Sequence, residues 1–117
     1  MYYHHISSDF DKSIKISKLP LVYVICVDNF NFIKIGITKS PKNRFSNLQT
    51  GCPYKISLWA GIRTPKPKKI ESFLHKKLEF CNFRGEWFKP DSDVLDYLSD
   101  FFDATNKNVR KSYDALL

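Results

Sequence analysis

The chain has 117 residues, 43% of them hydrophobic and 15% aromatic, which is enough for one closed core and too apolar for a disordered segment. Its net charge of +7 is uneven. Residues 1–89 hold 16 Lys/Arg against 6 Asp/Glu, whereas residues 90–117 hold 3 against 6, so the body suits a polyanionic partner and the tail does not. No apolar run approaches the roughly 20 residues of a membrane span. The first residues have no signal-peptide pattern. Three widely spaced cysteines, Cys26, Cys52 and Cys81, argue against a disulfide framework and read as reduced thiols in a cytoplasm.

Residues 1–20 form an N-terminal arm without a clear period, ended by Leu19-Pro20. Its aromatics Tyr2, Tyr3 and Phe10 suit base stacking, a packing arm or a dimer contact alike. The run "LVYVICV", Leu21 to Val27, reads as a strand covered on both faces. "DNFN" supplies turn residues, and a second strand from Phe32 to Thr38 completes a hairpin. Ser40-Pro41 is an N-cap followed by proline at the first helical position. The helix they open runs to about Thr50, stops at Gly51 and turns Phe45 and Leu48 inward. A third strand is expected over Tyr54 to Ile62, then a proline-stiffened loop. The next helix, about Lys68 to Cys81, buries Ile70, Phe73 or Leu74, Leu78 and Cys81. "FRGEWF" reads as a turn leading into Trp87 and Phe88, both expected in the core. A last amphipathic helix starts near Asp91-Ser92-Asp93 and carries Val94, Leu95, Leu98, Phe101 and Phe102, and the closing segment suits one more short helix. The fold predicted is α+β: a small three-stranded, mostly antiparallel sheet flanked by helices. A β-β-α-β-α core spans residues 21–90, and residues 91–117 add a helical extension.

Some residue types in this order carry chemistry. Tyr23 and Lys34 fall on neighbouring strands with side chains on one face. Gly36 weakens a strand interior, and it leaves room for a phosphodiester to approach the backbone. The alternative is a bulge or a packing glycine. Arg44 follows one helical turn in, and its planar fork suits two phosphate oxygens at once. Glu71 and His75, four apart, project from adjacent turns of one helix. A carboxylate there can hold one Mg²⁺ or Mn²⁺, with water filling the other positions. It can equally be a solvated charge beside Lys68, and His75, a catalytic candidate beside it, can equally be structural. Lys39, Lys42, Arg44, Lys68 and Lys69 are the cations expected along a nucleic-acid backbone.

Taken together, these pieces resemble the GIY-YIG nuclease superfamily, in its phage- and virus-associated branch. The first motif appears as Leu21-Val22-Tyr23 and the second as Lys34-Ile35-Gly36. "TKSPKNRFSNLQTG" is similar to the arginine-bearing helix, "KKIESFLHKKL" to the helix with the metal-binding glutamate, and "RGEWF" to the closing motif. The resemblance covers about Leu21 to Phe88. It implies a single divalent ion on Glu71, Arg44 on the scissile phosphate, and Tyr23 as general base or its relay. Tyrosine needs a nearby cation for that at neutral pH, and Lys34 or the metal is the candidate. Lys34 stands where the superfamily usually has tyrosine, and the first motif lacks its leading glycine. The asparagine that often closes such sites has Asn82 as its nearest counterpart. Glu86 suits either a second carboxylate of the site or a bond to the hairpin backbone.

The function expected on this reading is a metal-dependent endonuclease hydrolysing DNA, from a phage or virus and acting in the host cytoplasm, with a homodimer as one way to cut both strands. Two other readings fit parts of the chain. One is a nucleic-acid-binding module of the same fold without the chemistry. The other is a viral interaction protein that antagonises a host factor.

Overall fold

The computed structural model describes residues 18–114, and of residues 106–114 the backbone alone. The arm aromatics Tyr2, Tyr3 and Phe10 lie outside the described residues.

Strand β1 (Leu21–Val27) is the centre of the molecule, and all seven of its residues are buried, as an unbroken apolar run demands. It pairs antiparallel with β2 (Phe32–Thr38) in the register Tyr23 to Gly36 and Ile25 to Lys34. The connecting turn puts Asp28, Asn29 and Phe30 at φ of 50°, 56° and 67°. Asp and Asn tolerate that left-handed region. Phe30 is held there by an edge-on contact with Trp59, ring centroids 5.4 Å apart. Helix α1 (Pro41–Thr50) leads back to β3 (Ser57–Arg63), which pairs with the other edge of β1. Helix α2 (Pro67–Lys77) and a 3-10 turn (Glu79–Cys81) precede two short strands, β4 (Asn82–Arg84) and β5 (Trp87–Phe88). Helix α3 (Ser92–Asp114) closes the described chain.

The sheet therefore has five antiparallel strands in the order β3-β1-β2-β5-β4, not three. The two extra strands come from "NFRGEWF": Gly85, at φ 56°, makes the turn, and β5 docks on β2 through only two residue pairs, Ile33 with Phe88 and Lys34 with Trp87. Three helix and strand limits also differ from expectation. The third strand starts at Ser57 rather than Tyr54, because Gln49 holds the preceding loop, its side chain donating to the Tyr54 carbonyl at 2.9 Å and accepting from the Ile56 N–H at 2.8 Å. Helix α2 gives way to the 3-10 turn before Cys81. Among the described residues no second short helix follows α3, which runs unbroken to Asp114.

Each face of the sheet carries its own core. Val22, Val24, Ile33, Ile35 and Ile62 face α2 and α3, whose Leu74, Leu98 and Phe102 are buried against them together with Leu78 just past α2. At the choice left open on α2, Leu74 is fully buried and Phe73 is half exposed. The opposite face presents Leu21, Tyr23 and Ile25 to Phe45 and Leu48 of α1 and to Trp87. Ser40 precedes α1 as expected but makes no side-chain cap; its N–H bonds Thr38 Oγ1 at 3.0 Å instead. Asp91 caps α3, its Oδ1 accepting from the Val94 N–H at 2.8 Å.

Candidate functional site

Because β5 begins only at Trp87, the second half of β2 has no strand on its outer side among the described residues. This notch is where groups from both faces of the sheet meet. From the α1 face comes Tyr23, whose ring lies across Gly36. A Cβ built on Gly36 would stand 2.5 Å from the Tyr23 hydroxyl oxygen and 2.8 Å from the ring carbon bearing it. The glycine therefore leaves room for the tyrosine of its own sheet rather than directly for a phosphodiester. The same Cβ would lie 3.2 Å from Glu86 Oε1, so phenol and carboxylate sit side by side above the glycine.

Two cations organise this pair. Arg44 donates from Nε to the Tyr23 hydroxyl at 3.4 Å, and its residue is otherwise exposed at the mouth of the site. Lys34, 8% exposed, bonds Glu86 Oε1 at 3.0 Å and lies over the Trp87 ring, 5.3 Å from its centroid. A buried ammonium needs such partners to stay charged. Lys34 is thus committed to Glu86, which settles where Glu86 points and corrects the expectation that Lys34 lowers the Tyr23 pKa. The phenol is in fact pushed above the ordinary tyrosine value, first by burial and further by the charges of Glu86 and Glu71, while the Arg44 hydrogen bond and charge pull it down.

From the other face, α2 contributes Glu71 and His75. Glu71 is 5% exposed, and it is near enough for its charge to act on the Tyr23 hydroxyl. Its Oε1 accepts from Lys68 Nζ at 3.0 Å, and the lysine itself is 82% exposed, a partner that solvent can replace. His75 is held instead by the backbone of β2 and by Phe88. Its Nε2 bonds the Ile35 carbonyl oxygen at 2.9 Å, which fixes the proton on Nε2, and its ring meets Phe88 edge-on. The Ile35 N–H on that side bonds the Glu86 carbonyl at 3.1 Å, so His75 satisfies the acceptor that a longer β5 would have taken. Lys39 and Lys42 are exposed around the start of α1, and Lys68 and Lys69 at the start of α2. Asn82 lies outside the cluster and ties the β4–β5 turn, donating to the Gly85 and Trp87 carbonyls at 2.8 and 3.2 Å.

Among the described residues no three His, Cys, Asp or Glu side chains gather as a metal cluster. Glu71 is a single carboxylate, which suits a hard divalent cation that keeps most of its water and takes one or two protein oxygens, and does not suit zinc. Lys34, Arg44, Glu71 and Tyr23 come together around the notch. Glu86, left open there, belongs with them. Its signal is weak, because nothing local says that β5 is two residues long and stops beside Gly36.

The T5orf172 domain family matches residues 21–104, which takes in every residue of this cluster. No curated protein and no solved structure gives a significant match. Among the described residues, no helix is long and apolar enough to cross a membrane.

Proposed function

The chain belongs to the T5orf172 domain family, and from that premise and the geometry of the notch we propose that it is a metal-dependent endonuclease of GIY-YIG type that hydrolyses DNA. The observation that carries the proposal is the meeting of Tyr23, Arg44, Lys34, Glu86 and Glu71 around one glycine. Three of these groups have no packing reason to be polar where they sit: Lys34 and Glu71 are buried charges, and the Tyr23 hydroxyl is aimed at an arginine. Costly polar groups gathered in one place mark a site that works on something.

Each residue has a task. Arg44, at the mouth, binds non-bridging oxygens of the scissile phosphate and neutralises charge as it grows in the transition state. Arg44 donates to the Tyr23 oxygen, so the phenol proton is free to point elsewhere. With its pKa raised, Tyr23 stays protonated at neutral pH and acts as a relay: it accepts the proton of the attacking water while passing its own toward Glu86. Lys34 holds Glu86 in place for that transfer. Glu71 would hold Mg²⁺ or Mn²⁺ in place of its exposed partner Lys68. An ion held there would supply charge stabilisation for the leaving oxygen. His75 positions β2 and takes no proton in the reaction, a narrower role than the catalytic one expected from the sequence.

The test is nicking of supercoiled plasmid with Mg²⁺ or Mn²⁺, beside the same protein in EDTA. We expect nicking with either ion, none in EDTA, and DNA binding under both conditions. Salt-sensitive binding with no cutting under any ion would replace this reading with the binding module. Absence of binding would leave a protein-directed role, with a host factor or a second copy as the partner.

A further inference from the structure

On the α1 face of the sheet, beyond Lys34, an open cleft of about 240 Å³ lies at the end of the β1–β2 hairpin. Its walls include Phe32, Trp87, Tyr54, Phe83 and Arg84. Tyr54 and Phe83 are 51% and 63% exposed, an uncommon state for two aromatics that share one cleft. Both are held in place. Phe83 packs on Phe32 with ring centroids 4.9 Å apart, and Gln49 fixes the backbone of Tyr54. Trp87 joins this cleft to the reacting groups, since Lys34 covers its ring. Along β2 the step from Gly36 to Phe32 is about 13 Å at the ordinary rise of a strand. The surroundings are basic, with Arg84 in the wall and Lys89 over the Phe32 ring.

We propose that this cleft takes an unstacked nucleobase from a single-stranded or locally opened stretch next to the phosphate held at Arg44. The inference rests on the reading of the notch as a nucleic-acid site and adds the kind of substrate. Aromatic faces accept any base by stacking, and arginine beside them favours a ligand that carries phosphate. The groove of a paired duplex offers stacked bases edge-on and could not fill an aromatic cleft of this shape. The enzyme thereby prefers frayed, gapped or single-stranded DNA to uninterrupted duplex.

The experiment measures binding of the full chain to labelled oligothymidylate and to a duplex of equal length, in EDTA so that nothing is cut. Phe83→Ala and Tyr54→Ala remove exposed rings, and thermal melting confirms that both variants fold. Each should weaken oligothymidylate binding about ten-fold, the scale of one lost base–aromatic stack. Duplex binding should change less than about two-fold, because phosphate contacts supply it. Independently of any variant, oligothymidylate should slow alkylation of Cys52, which lines the cleft, and leave Cys81 unaffected. Unchanged single-strand binding in both variants, equal losses on both DNAs, or no binding of oligothymidylate by the unaltered chain would overturn the proposal. So would a dimer that dissolves in Phe83→Ala, since the cleft would then be filled by a second copy. Cutting of plasmid by the unaltered chain together with unchanged oligothymidylate binding in both cleft variants would sink this inference alone, and selective loss of single-strand binding in a chain that never cuts would sink the nuclease reading alone.

Discussion

Gly36 and Tyr23 are one unit, and the sequence shows only half of it. A glycine in a strand signals a close approach, but not of what. Here the occupant is the phenol of Tyr23, its partner across the sheet. Gly36→Ala should cost about 1–3 kcal/mol, the range for overpacking a filled site, and should displace the hydroxyl from Arg44. Because part of the clash is with that oxygen, Gly36→Ala combined with Tyr23→Phe should be more stable than the sum of the two changes, as measured by urea unfolding. The raised pKa of Tyr23 has its own consequence. Folded and unfolded chains are equally protonated at this group below about pH 10, so it changes nothing there. Above that pH the unfolded state loses the proton first, and stability falls as pH rises toward the folded value. Tyr23→Phe should remove that part of the alkaline loss, and absorbance titration should lack one late-ionising tyrosine. A Tyr23→Phe titration that superimposes on the original would contradict the burial-dominated account. Lys34 was expected to tune this phenol, and its partner Glu86 was not readable, because a salt bridge between positions 34 and 86 depends on a tertiary approach that leaves no local pattern.

Among the elements, the ones with internal period were legible. Seven consecutive buried residues identify β1, and turn chemistry at Asp28-Asn29 identifies its hairpin with β2. The arginine helix and the two amphipathic helices were also readable, α1 and α2 from proline at the start and α2 and α3 from apolar spacing. Strands β4 and β5 were not, since three and two residues are too few to show alternation. Yet the shortness of β5 makes the notch: one more residue pair would cover the Ile35 carbonyl and close off Gly36. His75 stands in for that missing pair. His75→Phe keeps the ring against Phe88 and strands the carbonyl, and it should cost about 1–3 kcal/mol in urea unfolding. Its nicking rate under fully folded conditions should drop far less than for a residue that touches the phosphate. A loss as large as that of Arg44→Ala would return His75 to the reacting groups.

At the scale of the whole molecule, charge and shape agree with the path proposed for a strand of nucleic acid. The exposed cations Lys39, Lys42 and Arg44 begin α1, Lys68 and Lys69 begin α2, and the acidic excess sits in the sequence of α3 and beyond. Replacing Lys39 and Lys42 with Gln should weaken DNA binding without regard to sequence and should reduce the salt slope by about 2. The central claim is that Arg44 and Glu71, from helices on opposite faces of the sheet, serve one reaction. It is tested most directly by the plasmid nicking rates of Arg44→Ala, Glu71→Gln and the double variant, with Mn²⁺ at saturating DNA. Each single change should lower the rate by roughly 100-fold or more, the loss expected when transition-state charge goes unneutralised. Groups that act as a unit are not additive, so the double variant should be scarcely worse than the worse single one. Nicking by the double variant at the rate of the unaltered chain would contradict the account.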